Sequence, residues 1–189
     1  MHSWPSRGPS TFRKRRLVRS RGFRMNLRPR VFHRRRISGT VAFRVESDLR
    51  GPVVTWLQDA GFDVRLEVPI LGRRADLVGA RGKAVTAIEM KMHRWAEALR
   101  QAIAYQLAAD RVWVAMPLGA ACRAYRQRWT FQSEGVGLLA VDDKGGVRSP
   151  IPAAPSPRLL PYLREKVLEG WRVEAPCLRP SKWDSMSRS

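Results

Sequence analysis

Residues 72–105, GRRADLVGARGKAVTAIEMKMHRWAEALRQAIAY, decide the fold of this chain. The first half reads as two short strands. Ala75, Leu77, Val78 and Gly79 surround a lone acid, Asp76, and Arg81, Gly82 and Lys83 supply a turn. Residues 84–91 (AVTAIEMK) then form the second strand. A strand sends alternate side chains to one face, so Glu89 and Lys91 share a face while Ile88 and Met90 take the other. An acid and a lysine at the end of an apolar strand are costly to keep there unless something uses them. A divalent cation is the obvious user. Asp76 and Glu89 would bind Mg²⁺ or Mn²⁺ through oxygen, with Lys91 beside the attacking water or the phosphate.

An Asp, a hairpin and then Glu-x-Lys is the signature of the PD-(D/E)xK nuclease superfamily, which this stretch resembles. Glu46, at the start of an upstream helix, stands where many members keep a further metal-binding acid. Gln101 and Tyr105, in QAIAY, are similar to the Gln-x-x-x-Tyr motif of RecB-like nucleases. On a helix that spacing sets both side chains on one face. The order helix, three strands, helix, strand also follows the superfamily's core. The resemblance covers roughly residues 45–117, and one departure is visible: Ala75 stands where the motif's name has proline. Glu-x-Lys alone is commonplace, Asp76 alone could cap a turn, and Glu46 with Asp48 could simply complement a helix dipole. Their joint order carries the resemblance.

The resemblance implies an α/β fold: a restriction-endonuclease-like αβββαβ core with a mixed central sheet flanked by helices. It implies a metal-dependent nuclease that hydrolyses phosphodiester bonds, in DNA, leaving 5′-phosphate and 3′-hydroxyl ends. The catalytic set would be Asp76, Glu89, Lys91, Gln101 and Tyr105, and Glu46, Asp76 and Glu89 would hold Mg²⁺ or Mn²⁺. An enzyme that must cut two strands also has a use for a homodimer.

The chain has 189 residues, enough for one domain with appendages, and 44% of them are hydrophobic, enough for a real core. No run approaches the roughly eighteen apolar residues of a membrane span, and no signal-peptide core is visible. Cys122 and Cys177 lack metal-site spacing and a disulfide framework, so a reducing cytoplasm is the expected compartment. The formal net charge is +20, and thirteen of the Lys and Arg residues, with no Asp or Glu, lie in residues 1–40. Arg13, Lys14, Arg15 and Arg16 form one dense run, and Arg34, Arg35 and Arg36 another. Such a segment cannot bury enough apolar surface to fold alone. It is a polybasic arm that holds nucleic acid by counterion release, a tail with no specific role, or sequence that translation from Met25 would largely omit. Arg73 and Arg74, at the start of the Asp76 strand, are further candidates for nucleic-acid contact.

Residues 41–150 are expected to form the nuclease-like domain. Residues 45–60 read as a helix with Val53, Val54, Trp56, Leu57 and Ala60 as its apolar stripe, and Pro52 near its start. Residues 62–70 read as a strand with Phe62, Val64, Leu66, Val68 and Ile70 inward. A second helix follows at 93–110, with Trp95, Leu99, Ala102, Ile103 and Leu107 available to the core. A buried central strand is expected at 111–117. The basic helix expected at 119–129 either offers Arg123, Arg126, Arg128, Tyr125 and Trp129 to nucleic acid or packs its aromatic residues inward. A strand at 136–141 leads through the turn at 142–146 to a short edge strand. Residues 151–189 read as a Pro-rich linker, an amphipathic helix at 158–170 that packs back on the core or against a partner, and an irregular tail.

Two other functional classes fit the composition. One is a non-catalytic nucleic-acid-binding protein that keeps the nuclease fold and the basic arm. The other is an RNA-directed or ribosome-associated basic protein, suggested by the arm alone.

Overall fold

In a computed structural model of the protein, residues 43–173 are described. The arm expected at residues 1–40, with its two arginine runs, and the tail beyond residue 173 lie outside them. Two tight turns set the centre of the fold. Leu71 and Gly72 have φ of 50° and 74°, the backbone of a two-residue hairpin loop whose twist matches its strands. They join β1 (Asp63–Ile70) to β2 (Arg73–Arg81). Gly82, at φ 60°, lies in the turn from β2 to β3 (Ala84–Met90). The meander continues through α2 (Trp95–Tyr105) into β4 (Arg111–Pro117), which lies parallel to β3. With the 3₁₀ turn Glu46–Leu49 and α1 (Arg50–Asp59) in front, the order is αβββαβ. The chain goes on through α3 (Leu118–Tyr125), α4 (Arg128–Glu134), β5 (Gly137–Val141), β6 (Val147–Ile151) and α5 (Pro161–Val173). The six strands form one mixed sheet in the order β1-β2-β3-β4-β5-β6, antiparallel except for β3–β4 and β4–β5. This is a mixed α/β fold with helices on both faces of the sheet.

Each face has its own core. On one, Ala98, Leu99 and Ala102 of α2 pack with Val78, Val85, Ala87, Val112 and Val114, joined by Phe131 of α4 and by Leu163 and Leu168 of α5. On the other, Leu49, Val53 and Leu57 cover Leu77, Ile88, Met90 and Leu139. Trp56 meets Trp113 edge-on there, at 5.5 Å between ring centroids. β4 is buried from Val112 to Met116, as a parallel strand with helices on both faces must be.

The regular alternation expected for residues 62–70 breaks at Glu67, a non-glycine residue at φ 56°. Phe62 and Val64 pack against the α1 core, whereas Val68 and Ile70 pack against the α2 core. Leu66, expected inward, is exposed. The left-handed residue re-aims the strand, and it sits across from the segment that carries Asp76. Such backbone costs on the order of 1–3 kcal/mol and is kept where surrounding structure enforces it.

Other boundaries also differ. The expected helix at 45–60 is a 3₁₀ turn followed by α1, which leaves Pro52 in the first turn of α1, where a missing N–H costs nothing. The expected basic helix at 119–129 is two helices, α3 and α4. Residues 151–173 do not leave the domain. Ile151 ends β6, Ala153 is buried, and α5 closes the α2 core. Buried Gln106 holds this segment: its Nε2 donates to the carbonyl of Glu134 at 2.6 Å, and its Oε1 accepts from Arg158 at 2.6 Å. Arg158 also pairs with Glu134 at 2.9 Å.

A Cβ added at Gly137 would lie 2.2 Å from the Trp113 ring and 2.7 Å from the backbone nitrogen of Ala153. Gly137→Ala should therefore destabilise the protein by at least about 2 kcal/mol. Gly51→Ala, in α1 with nothing within 4 Å of the new methyl, should be neutral or stabilising by about 0.5–1 kcal/mol. Urea denaturation of both variants checks the pair, and equal midpoints would refute this account of the packing.

Candidate functional site

The register of the β2–β3 hairpin builds the site. Leu77 pairs with Ile88 and Val78 with Ala87, so the next step of the ladder sets Asp76 opposite Glu89. Residues opposite each other on antiparallel strands point to the same face. The Met90 N–H donates to Asp76 Oδ2 at 2.7 Å, which locks the acid to the neighbouring strand. Glu89 is 3% exposed. The Tyr105 hydroxyl, at the end of α2, lies 2.9 Å from Glu89 Oε2 and 2.8 Å from the carbonyl of Arg74. One side chain of α2 therefore touches both the acid strand and the hairpin.

Lys91 follows β3 and is anchored through its N–H to the carbonyl of Ala115 at 3.0 Å. Its ammonium lies 3.6 Å from Glu46 of the 3₁₀ turn and 3.8 Å from Glu97 in the first turn of α2. Glu97 is held in turn by Arg94 at 3.1 Å. Gln101, one turn before Tyr105, has its Oε1 sealed from solvent without a hydrogen-bond partner. Arg73 and Arg74 are exposed at the base of the hairpin loop, and Arg74 lies 3.9 Å from Glu67.

The electrostatics follow from crowding acids into a partly closed space. Burial pushes the Glu89 carboxyl up to about 7, and the nearby charge of Asp76 adds to the effect, against the Tyr105 hydrogen bond and the Lys91 ammonium. Burial also raises Asp76, partly opposed by the Met90 N–H, with Glu67 and Glu46 adding their charges. Burial, and then the Glu89 charge, keep the Tyr105 hydroxyl protonated. A nearly buried acid raised by burial and by a neighbouring carboxylate marks a place where positive charge is missing.

Asp76, Glu89, Lys91, Tyr105 and Glu46 thus fall into one neighbourhood, and Gln101 lies on the same helix as Tyr105. Among the described residues no three His, Cys, Asp or Glu side chains converge closely enough to cage a metal on their own. Glu46 faces Lys91, while Asp76 and Glu89 are held by the Met90 N–H and Tyr105. The donor set nevertheless suits a hard cation. It offers two carboxylates on facing positions of neighbouring strands, whose repulsion a cation would relieve. His93 is exposed and takes no part in these contacts.

Sequence reasoning missed two acids. Glu97 is hidden because an acid in a first helical turn is ordinary; only its place six residues after Lys91, one strand exit later, hinted that it could turn back. Glu67 gave no signal, since its left-handed backbone is invisible in composition. Arg50 pairs with Glu67 at 3.1 Å.

No protein-family description matches the sequence, and neither does any curated protein. Among solved structures, the crystal structure of AF1548, a protein of unknown function, shares 17% identity with a TM-score of 0.35. The likeness covers 49% of this chain and 56% of that one.

Because the Glu89 carboxyl is raised from 4.5 to about 7, the folded state holds a proton there that the unfolded chain releases. Stability is then greatest below pH about 4.5 and falls as pH rises towards 7, by on the order of 3 kcal/mol at most. Glu89→Gln keeps an acceptor for Tyr105 and removes the charge. In EDTA its stability advantage over wild type should be smallest below pH about 4.5, already measurable at pH 5, and grow up to pH 8. A gap that does not change with pH in urea titrations would contradict the assignment.

Proposed function

We propose that the protein is a metal-dependent nuclease that hydrolyses phosphodiester bonds in DNA. The observation that carries this reading is the pairing of Asp76 with a nearly buried Glu89 across β2–β3, with Lys91 two residues further along. Asp76 and Glu89 would hold Mg²⁺ or Mn²⁺, with Glu46 adding negative charge beside them. Bound there, the cation supplies charge to the phosphate and acidifies a water. Attack of a water oxygen on phosphorus would break the bond to the 3′-oxygen, the water losing a proton to solvent and the 3′-oxygen taking one up, leaving 5′-phosphate and 3′-hydroxyl ends.

The protein's own groups do the positioning. Lys91, braced between Glu46 and Glu97, orients the water and stabilises negative charge developing on the phosphate. The Tyr105 hydroxyl fixes the rotamer of Glu89. Arg73 and Arg74, exposed beside the acids, grip flanking phosphates. The raised Glu89 makes metal affinity rise with pH through about 7, because only the carboxylate binds. A cytoplasmic location goes with this reading, as does pairing of two copies when both strands are cut. No helix of the described residues is long and apolar enough to cross a membrane.

A second reading is a nucleic-acid-binding protein without catalysis. It is favoured by the ion pairs that occupy Lys91 and by the lack of a three-carboxylate cage among the described residues. Cleavage of labelled single-stranded, duplex and branched DNA with Mg²⁺, Mn²⁺ or EDTA separates the two. Wild type should cut only with metal. Asp76→Asn should abolish cutting, and Lys91→Ala should slow it on the order of 10²-fold or more. Millimolar Mg²⁺ should raise the wild-type melting temperature and leave that of Asp76→Asn unchanged. Salt-sensitive binding with no cutting and no thermal shift would instead support the binding protein.

A further inference from the structure

Trp129 is 70% exposed and Tyr125 42% exposed, although both belong to helices that have a core to pack against. Between them lies Arg128, its guanidinium 5.1 Å from the Trp129 ring centroid and 5.8 Å from that of Tyr125. Arg123 and Arg126 are exposed on the same stretch. Among the described residues no carboxylate pairs with Arg123, Arg126 or Arg128, whereas Arg50, Arg94, Arg158 and Arg164 are all ion-paired. The platform is firmly seated. Phe131, two residues after Trp129, is completely buried and lies 6.1 Å from the ring of Trp95 at the start of α2. That start lies four residues beyond Lys91.

We propose that the outer face of α3 and α4 is a base-stacking surface for single-stranded nucleic acid. Flat aromatic faces attract nucleobases of any sequence, and guanidinium groups both stack on bases and meet phosphates. Three arginines without carboxylate partners among the described residues suit a polyanion. The exposed rings suit a polyanion whose bases are unstacked, and a duplex hides those faces. Beside Tyr125 an apolar groove of about 520 Å³, with Leu118, Ala121, Cys122 and Pro150 in its walls, extends the apolar part of the surface. Phe131 against Trp95, and the Gln106 side chain on the carbonyl of Glu134, join this surface to the helix that carries Tyr105. The binding itself does not depend on cleavage at those acids.

The test must separate this surface from non-specific contact through basic residues elsewhere in the chain, which touch phosphates and ignore bases. Full-length protein in EDTA, where no metal-dependent cutting occurs, is titrated by fluorescence anisotropy against labelled dT15 and an abasic deoxyribose-phosphate strand of the same length. Wild type should prefer dT15 roughly tenfold. Trp129→Ala should erase that preference and leave affinity for the abasic strand unchanged. Both rings are exposed, so the variant should fold, and circular dichroism checks this. Equal wild-type affinity for the two strands, or a preference that survives Trp129→Ala, overturns the proposal. So does a wild-type dimer that Trp129→Ala converts to monomers without altering the preference, since the surface would then be a contact between copies. Because no arm measures cleavage, loss of nuclease activity alone leaves this outcome unaffected.

Discussion

Two carboxylates that repel each other are held side by side on neighbouring strands, and much of the fold can be understood as what keeps them there. The hairpin register places Asp76 opposite Glu89, and the Met90 N–H and Tyr105 hydroxyl fix one oxygen of each. Neither bond neutralises the pair. Lys91 does so only in part, because its ammonium is shared with Glu46 and Glu97. Burial, and after it the neighbouring charge of Asp76, push the Glu89 carboxyl well above the ordinary carboxylate range.

Holding that arrangement strains the neighbouring backbone. Glu67 takes a left-handed conformation across from the acid segment, and Arg94 does so where the chain turns from β3 into α2. Both residues also carry ion pairs that reach towards the site, Glu67 to Arg50 and Arg74, and Arg94 to Glu97. Strain of this kind persists where contacts on both sides over-determine the backbone. The acids are therefore embedded in a rigid frame rather than displayed on a loop.

Much of this was legible in the sequence, because period and punctuation are local. The turn residues Leu71, Gly72 and Gly82, the unbroken apolar run of β4 and the Glu89–Lys91 spacing announce themselves without a partner. The order αβββαβ followed from them. What stayed hidden depends on distant contacts. Leu66 alternates correctly and is still exposed, because one left-handed residue re-aims the strand. The break between α3 and α4 carries no proline or glycine, so the outward rings of Tyr125 and Trp129 could not be told from inward ones. Residues 152–157 look like a linker by composition, yet buried Gln106 and Arg158 hold them to the domain through bonds between residues some 50 positions apart.

The same clasp bears on how the chain matures during synthesis. Asp76, Glu89 and Tyr105 are all made well before α5, yet Leu163 and Leu168 complete the core on their side of the sheet. At ordinary elongation rates several seconds, on the order of 4–16 s, separate emergence of Glu89 from emergence of Leu168. During that interval the nascent sheet presents a greasy face that α5 has yet to shield. Helix α5 therefore acts as an internal lid on the newborn domain, and a product truncated before it would be prone to clump.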